Sequence, residues 1–365
     1  MSLKEQTDSA IVLLQSLIET QSFSGEEDGT AQLIAEWLER NGITPTEASS
    51  GRVSRKQNNI YAFNKHFDDS KPLLLLNSHH DKVKPNKGYK RDPYNAEIID
   101  GKLYGLGSND AGASLVGLLT AFAHFYERED LSHNIVIVAS AEEESSGPNG
   151  LNSMLAHLPE IEVAIVGEPT LMNLAIAEKG LVVFDAAVKG IAGHAAHIKE
   201  NMAVYNCIET LQWFQELKFD KVSETLGETK VTVTQINAGT QHNVVPSQVD
   251  LVIDVRVNEH YTNQEIADFM QENAPCDEIQ PRSLRLNSSR IAKDHALVQA
   301  GIALGRETYG SPTLSDQACL SCPSLKLGIG DSTRSHMADE FVYVKEIEEG
   351  IGLYIEILEG FLSHP

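Results

Sequence analysis

The sequence predicts an α/β fold into which a smaller α+β domain is inserted. Apolar residues fill three short runs, a pattern typical of parallel strands that helices cover on both faces. The strands that these runs predict begin at Leu73, Asn134 and Val163. Within residues 180–287 the pattern changes to alternating strands in the order β-α-β-β-α-β, which is typical of a ferredoxin-like unit. We therefore predict one domain from residues 1–179 and 288–365 and an inserted domain from residues 180–287.

The helices and strands of the first domain are predicted from the spacing of apolar residues and from residues that end a helix. The pair Asn41-Gly42 is a typical end for the second helix, whereas residues 82–109 show no strong periodicity. The predicted elements are the helices Ser9–Thr20 and Thr30–Arg40, the strand Asn59–Phe63, a strand from Leu73, a helix from about Ala111 to Tyr126, the strands Asn134–Ala139 and Val163–Val166, a helix Asp294–Gly305, a strand Leu325–Gly328 and a helix Lys345–Leu362.

In the inserted domain, apolar residues at every second position predict strands, and apolar residues at helical spacing predict helices. In its third strand Val249, Leu251, Ile253 and Val255 share one face. The predicted elements are the strands Leu181–Val188, Lys230–Asn237, Ser247–Val257 and Arg282–Leu286 and the helices Asn201–Leu217 and Asn263–Asn273.

Composition excludes several classes of partner. The net charge of -23 argues against binding to nucleic acid or to an anionic membrane, and no apolar run reaches membrane-spanning length. The sequence also shows no apolar signal region, so we expect a cytoplasmic protein. Four cysteines are too few for a disulfide framework; Cys319 and Cys322 have the spacing of a metal knuckle but no second pair, and we expect free thiols.

Acidic and imidazole side chains follow the three apolar strands. The strands run into His79-His80-Asp81, Glu142-Glu143-Glu144 and Gly167-Glu168-Pro169. Ligands bind at the carboxyl ends of strands in open α/β sheets, and adjacent carboxylates repel one another unless a cation is present. The pattern therefore predicts a cation site, although a histidine that is merely hydrogen-bonded in the core is the alternative for the first stretch.

The candidate ligands suit two metal ions. One histidine and one carboxylate for each ion, with a further carboxylate shared, is a set that fits Zn²⁺ or similar ions. Such ions polarise a carbonyl, and one carboxylate must stay free as the general base. The Glu143-Glu144 pair offers one ligand and one base, and Asp110 has the alternative of capping the helix that follows it. The candidates are His79, Asp81, Asp110, Glu143, Glu144, Glu168 and His336.

Five motifs in order resemble the acetylornithine deacetylase / succinyl-diaminopimelate desuccinylase / aminoacylase family of metallohydrolases. They are His79-x-Asp81, Gly105-Leu-Gly-Ser-Asn-Asp110, Glu142-Glu-Glu144, Gly167-Glu-Pro169 and Ser335-His336-x-x-Asp-Glu340. The resemblance covers nearly the whole chain. It implies an aminopeptidase-like catalytic domain with a mixed sheet between helices, and a lid domain that usually forms a dimer.

The resemblance also implies a role for each candidate. His79 and Glu168 would bind one metal, Glu144 and His336 the other, and Asp110 would bridge them. Asp81 would orient His79, and Glu143 would be the general base. Two departures are Glu142, where many members have Asp, and His80, an extra imidazole that could exchange roles with His79; the one-residue spacing to Asp81 favours His79.

Further positions match substrate contacts of the family. In Gly190-Ile-Ala-Gly-His194-Ala-Ala-His197, His194 fits the histidine that reaches the partner's active site and stabilises the oxyanion; a surface histidine in a flexible loop is the alternative. Asn243, Arg256 and Ser332 match substrate-binding positions, although Arg256 could instead pair with Asp254. Arg334 could clamp a carboxylate through its planar fork or lie in solvent.

The resemblance implies a zinc-dependent N-acyl amino acid deacylase, most like acetylornithine deacetylase of arginine biosynthesis. Zn²⁺ is the expected metal and Co²⁺ an alternative; the partners expected are a small N-acyl amino acid and a second copy of the chain, bound through the lid. Succinyl in place of acetyl, and citrulline, lysine or diaminopimelate in place of ornithine, stay open. A di- or tripeptidase of the same family is a second hypothesis, and a metal-binding protein without turnover is a third.

Overall fold

A computed structural model describes residues 2–43 and 54–363, and the chain divides into two compact units. One unit comprises Met1–Ile176, Arg290–Tyr309 and Ser315–Pro365, and the other comprises Ala177–Ser289 and Gly310–Leu314. The helices are α1 (Leu3–Glu19), α2 (Asp28–Arg40), α3 (Ala113–Phe125), α4 (Leu151–Leu155), α5 (Ala203–Glu216), α6 (Asn263–Asn273), α7 (Ala296–Ala303) and α8 (Val344–Leu362).

The strands are distributed over both units. They are β1 (Ser54–Lys56), β2 (Asn59–Phe63), β3 (Leu73–His79), β4 (Ile98–Ile99), β5 (Lys102–Tyr104), β6 (Asn134–Ser140), β7 (Ile161–Val166), β8 (Leu174–Glu178), β9 (Gly180–Lys189), β10 (Gly193–His194), β11 (Lys230–Ala238), β12 (Val244–Val245), β13 (Gln248–Val257), β14 (Glu278–Pro281), β15 (Ser289–Arg290), β16 (Thr308–Ser311), β17 (Ser324–Lys326) and β18 (Phe341–Tyr343).

A mixed sheet forms the centre of the first unit. Its strands follow the order β1-β2-β6-β3-β7-β17-β8-β15, and β16 pairs with β8. The four strands β6, β3, β7 and β17 run parallel to one another, whereas β2 and β8 pair antiparallel with their neighbours. The carboxyl ends of β3, β6 and β7 therefore meet at one edge of the sheet, as the apolar runs predicted.

Strand β3 is buried on both faces because its leucines alternate between two cores. Leu74 and Leu76 pack into the larger core, which α1, α2, α3 and α8 complete. Leu73 and Leu75 point the other way, into a smaller core with Met154 of α4. Period-2 alternation of side chains across a strand thus explains why an uninterrupted apolar run suits this position, and it confirms the predicted helix-covered strand.

A small three-stranded sheet, in the order β18-β5-β4, lies in a part of the chain for which the sequence showed little periodicity. Strands of two or three residues leave no detectable repeat, so they were not predicted. The pairing of Phe341 with Tyr104 brings the segment after His336 beside the segment that leads to Asp110.

The second unit has the predicted β-α-β-β-α-β order. Its antiparallel sheet follows the order β11-β13-β9-β14, and α5 and α6 pack against it through Cys207, Phe214, Ile266 and Met270. The predicted last strand, Arg282–Leu286, is wrong, because the strand is β14 at Glu278–Pro281. The carbonyl groups of Leu284 and Leu286 instead accept hydrogen bonds from the Asn263 side chain.

Among the helices of the described residues, none combines the length and the apolar character that a bilayer crossing requires.

Candidate metal centre

The metal-ligand candidates lie where parallel strands of the first unit end. His79 is the last residue of β3, opposite Ser140 at the end of β6. On the other side of β3, Asn77 lies opposite Val166 at the end of β7, two residues before Glu168. The register of three strands thus brings the side chains together, although they are far apart in the sequence.

His79 is buried, with 1% of its surface exposed, and its Nε2 atom faces carboxylates. This atom lies 3.5 Å from Asp110 Oδ1, 3.6 Å from Glu168 Oε1 and 4.0 Å from Glu143 Oε2. Within the described residues, Nε2 has no hydrogen-bond partner. A buried nitrogen without a partner is costly, and a bound cation would resolve that cost.

His336 approaches the same carboxylate from the other side. Its Nε2 lies 3.1 Å from Glu144 Oε2 and 3.5 Å from Asp110 Oδ2. Asp110 therefore presents one oxygen to each histidine, which is the arrangement required of a shared ligand. The His336 side chain is 55% exposed, so this half of the site opens to solvent.

The spacing of the donor atoms fits divalent ions. Ligands about 2.0–2.2 Å from a tetrahedral ion are separated from one another by about 3.3 Å. Two groups of side chains have ligand atoms within 4.8 Å of one another: His79 with Asp110 and Glu144, and His79 with Glu143 and Glu168. Both groups contain His79, so they show that the donors around His79 suit a divalent ion; His336 and Glu144, 3.1 Å apart, offer donors for a second.

Burial makes the crowded acids difficult to ionise together. It raises the pKa of Glu168 to about 8 and raises the pKa of Glu143 well above its ordinary value. The hydrogen bond to Glu144 raises the pKa of His336 to about 9. Because metal ions bind the deprotonated forms of such groups, protons and a cation compete for this site.

Asp81 contacts His79 and the loop that carries Glu143 and Glu144. His79 Nδ1 lies 3.1 Å from the Asp81 carbonyl oxygen and 3.4 Å from its Oδ1. The Asp81 carboxylate also accepts hydrogen bonds from the backbone N–H groups of Glu143 (3.0 Å) and Glu144 (3.1 Å) and from Ser24 Oγ (2.6 Å). One carboxylate therefore positions a ligand candidate on β3 and the loop that follows β6.

His80 has both ring nitrogens engaged elsewhere. Nδ1 lies 2.8 Å from Thr30 Oγ1, and Nε2 lies 2.9 Å from the Asn58 carbonyl oxygen. Burial lowers the pKa of His80 to about 4, so the ring is neutral near pH 7. This histidine is a hydrogen-bonded core residue, and its geometry does not support an exchange of roles with His79.

Asp110 lies in a turn and does not cap a helix. The π-helical turn Ser108–Gly112 precedes α3, whose N-cap is Gly112, so the N-cap interpretation of Asp110 is wrong. Within the turn Asp110 has φ -116° and ψ 99°, and its peptide bond to Ala111 is cis.

Two buried acids near the centre were not singled out in the sequence. Glu340 accepts hydrogen bonds from backbone N–H groups around Asp110. Asp316 accepts a hydrogen bond from Ser140 Oγ (2.6 Å), and burial raises its pKa to about 6. Glu340 ends the motif that begins at Ser335, but its local sequence indicates no role for it, and Asp316 has no local sequence signal.

His194 and Asn243 lie on one short ribbon of the second unit. His194 pairs with Val244, and the Asn243 carbonyl oxygen accepts from the Ala195 N–H at 3.0 Å. The Asn243 side chain is exposed. The alternative for Arg256 is observed, since its guanidinium donates to both oxygens of Asp254 at 2.9 and 3.2 Å.

Arg334 is not solvated, and its guanidinium is not free to bind the carboxylate of a substrate. It donates two hydrogen bonds to Glu346, at 2.7 and 2.9 Å, and its guanidinium lies over the ring of Phe341. Substrate binding by Arg334 would require this ion pair to open. Ser332 is exposed in the turn Ser332–Arg334.

The cysteines take no part in the site. All four lie in the described residues as free thiols, as expected. Burial raises the pKa of Cys322 to about 11, which makes it a poor ligand or nucleophile.

The sequence matches the profile of peptidase family M20/M25/M40 over residues 75–360. The succinyl-diaminopimelate desuccinylase of Rickettsia bellii (strain RML369-C) is 25% identical over 380 residues, which cover 96% of this chain and 96% of that protein. The protein of the same name from Ehrlichia ruminantium (strain Gardel) is 25% identical, with 97% of this chain and 98% of that protein covered.

Solved structures share the fold. Aminopeptidase PepT from Bacillus cereus has a TM-score of 0.73 at 15% identity and covers 97% of this chain and 98% of its own. A dinuclear metal-binding peptidase of the M20 family from Bacillus subtilis has a TM-score of 0.72 at 17% identity, with 98% of both chains covered. An M20 family metallo-carboxypeptidase from Sulfolobus solfataricus has a TM-score of 0.70 at 16% identity, with 99% of both chains covered. These matches confirm the predicted α/β fold.

The adjacent histidines offer a matched pair of variants. His79→Gln should lower the affinity for Zn²⁺ by at least about tenfold to a hundredfold, the loss typical of residues that merely support a ligand. His80→Gln should keep metal affinity but lose about 1–3 kcal/mol of stability, because buried partners are left unsatisfied. Chelator competition and urea unfolding measure the two effects. Loss of metal in His80→Gln with retention in His79→Gln would reverse the assignment.

Proposed function

The chain belongs to peptidase family M20/M25/M40, and on that premise we propose that it hydrolyses the amide bond of N-acyl amino acids with two bound divalent ions. The position of Asp110 carries the proposal, because its two oxygens each lie 3.5 Å from a different histidine. A carboxylate in this position can serve two ions at once, which is the arrangement used by two-metal hydrolases.

Five side chains would hold the ions. We assign His79 and Glu168 to one ion, Glu144 and His336 to the other, and Asp110 to both. The distances of 3.6 Å between His79 and Glu168 and of 3.1 Å between His336 and Glu144 support the two pairs. Imidazole and carboxylate donors suit Zn²⁺, with Co²⁺ as the alternative. When bound, the ions would polarise the amide carbonyl and lower the pKa of a water molecule.

Glu143 is the proposed general base. Its Oε2 lies 4.0 Å from His79 Nε2, against 3.6 Å for the assigned ligand Glu168, so it borders the proposed site at a slightly greater distance. Burial raises the pKa of Glu143 well above its ordinary value, and a raised pKa strengthens a carboxylate as a base near neutral pH. Glu143 would take a proton from water and then pass it to the leaving amine.

His194 is the proposed hydrogen-bond donor to the oxyanion. Its Nδ1 accepts from the Ala196 N–H at 3.2 Å, which leaves the proton of a neutral ring on Nε2. That N–H can donate to the negative oxygen that develops during acyl transfer. We propose that His194 serves the active site of the second chain in a homodimer.

Exposed apolar surface supports a homodimer through the second unit. Helix α5 exposes Val204, Tyr205 and Ile208, and Ile236 is exposed on β11, an edge strand of the sheet. Exposed apolar side chains and an open strand edge commonly mark an interface. Sedimentation at micromolar concentration should show a dimer, and a monomer would contradict this part of the proposal.

For the substrate we propose N-acetylornithine or a close relative, namely the acetyl or succinyl derivative of ornithine or citrulline, as in arginine biosynthesis. The resemblance of the five motifs supports the deacylase. The relatives named succinyl-diaminopimelate desuccinylase favour a second candidate, a diaminopimelate derivative and lysine biosynthesis. The solved aminopeptidase favours a peptidase as the third. A cytoplasmic location is part of the same proposal.

A substrate panel separates these candidates. Purified protein with Zn²⁺ or Co²⁺ would be tested on acetylated and succinylated ornithine, citrulline, lysine and diaminopimelate and on simple dipeptides and tripeptides, with release of the free amine as the measurement. We expect the highest kcat/KM on an ornithine or citrulline derivative. Faster hydrolysis of peptides would support the peptidase, and no turnover on any substrate would contradict an amide hydrolase.

Removing the proposed base should separate chemistry from metal binding. Glu143→Gln should lower kcat by about 10²–10⁴-fold, the usual contribution of a general base, with metal content unchanged. Glu142→Gln is a matched control, because the Glu142 side chain accepts hydrogen bonds from Asn149. Activity assays measure kcat, and elemental analysis measures the metal content of each variant. Substantial turnover by Glu143→Gln would show that another group takes the proton.

A further inference from the structure

Glu340 is a buried acid, and its carboxylate accepts hydrogen bonds from backbone N–H groups of one turn. It is 2% exposed. Its Oε2 accepts from the N–H of Gly107 at 3.0 Å, and its Oε1 accepts from the N–H groups of Asn109 at 2.8 Å and Asp110 at 2.9 Å. Three donors of the turn before α3 therefore converge on one side chain.

The turn needs such an acceptor. Gly107 has a positive φ of 76°, and the π-helical turn Ser108–Gly112 follows it. In this conformation the N–H groups of Asn109 and Asp110 both donate to the Glu340 side chain. Because buried N–H groups without a partner are costly, the bonds to Glu340 stabilise this conformation of the turn.

The segment that carries Glu340 also carries a proposed ligand. His336 precedes Glu340 by four residues, and the Glu340 carbonyl oxygen accepts from the Gly105 N–H at 3.0 Å. The Asn86 side chain donates to the His336 carbonyl oxygen at 3.0 Å, and Asp339 Oδ1 accepts from the Lys90 N–H at 3.0 Å. The segment is therefore anchored along its length, and a shift of the turn relative to it would separate Asp110 from His336.

We infer that Glu340 is a positioning residue for the metal centre: its carboxylate holds the backbone turn so that Asp110 presents one oxygen towards His79 and the other towards His336. Glu340 itself is neither a ligand nor a contact of the substrate. The inference rests on the proposed function, because it gives Asp110 the role of shared ligand. Tethering the N–H of Asp110 itself, together with that of Asn109, restricts the direction in which the Asp110 side chain leaves the chain.

The test is the isosteric change Glu340→Gln. It replaces one acceptor oxygen with an NH₂ group, so that two donors face each other and at least one hydrogen bond to the turn is lost. The affinity for Zn²⁺, measured by competition with a chromogenic chelator, should fall by about 10–100-fold, the loss typical of residues that orient a metal ligand. The increase in Tm that Zn²⁺ causes should shrink with it, because ligand-induced stabilisation follows affinity.

Asn134→Asp is the matched control. Asn134 is also buried, makes three hydrogen bonds to the backbone of Asp68 and Lys71, and begins β6 at the opposite edge of the sheet. Asn134→Asp should lower the Tm of the metal-free protein and leave Zn²⁺ affinity unchanged. An equal loss of affinity in both variants would show that general destabilisation is responsible and would overturn the inference.

The double variant Glu340→Gln/Asp110→Asn tests whether Glu340 acts on the metal centre through Asp110. If Glu340 acts through Asp110, then Glu340→Gln should cause little further loss of affinity in the Asp110→Asn background. Parent-like Zn²⁺ affinity in Glu340→Gln, or a loss of full size in both backgrounds, would overturn the positioning role while leaving the proposed function intact. A parent protein that binds no divalent ion would overturn both.

Discussion

The structure depends on a cluster of buried carboxyl groups at the carboxyl ends of the parallel strands. Strands β3, β6 and β7 end together, and Asp110 and His336 reach the same place from loops. Burial first, and then the charge of neighbouring carboxylates, raises the pKa values of Glu143, Glu168, Asp316 and Glu340, so this arrangement of acids opposes its own ionisation. Divalent cations would offset the repulsion, which explains how a fold can carry such a cluster.

Backbone N–H groups provide the second stabilising element. Loops that leave a sheet carry N–H groups for which no strand partner exists, and three buried acids of the first unit accept them. Asp81 accepts from Glu143 and Glu144, Glu27 accepts from Gly25 and Glu142, and Glu340 accepts from the turn at Asp110. In this way acids that are not among the proposed ligands stabilise the loops that carry the proposed ligands.

The sequence predicted the large elements, and the side chains that meet at the candidate site, better than it predicted their hydrogen-bond partners. The uninterrupted apolar run of β3 and the spacing of His79 to Asp81 are local patterns, so both could be read directly. The hydrogen bonds that engage His80, the turn that removes Asp110 from a helix cap and the ion pair of Arg334 with Glu346 depend on residues distant in sequence. Asp316 and Glu340 were missed for the same reason. The last strand of the second unit lies at Glu278–Pro281, before the predicted segment, in which the Asn263 side chain donates to the carbonyl groups of Leu284 and Leu286.

If Asp110 is the shared ligand, it lies between two metal ions. Diffraction from crystals grown with Zn²⁺, with anomalous differences measured above the zinc absorption edge, would locate the ions. We expect two anomalous peaks in the first unit, one beside each oxygen of Asp110, with His79 nearest to one and His336 nearest to the other. A single peak, or peaks that Asp110 does not contact, would contradict this assignment.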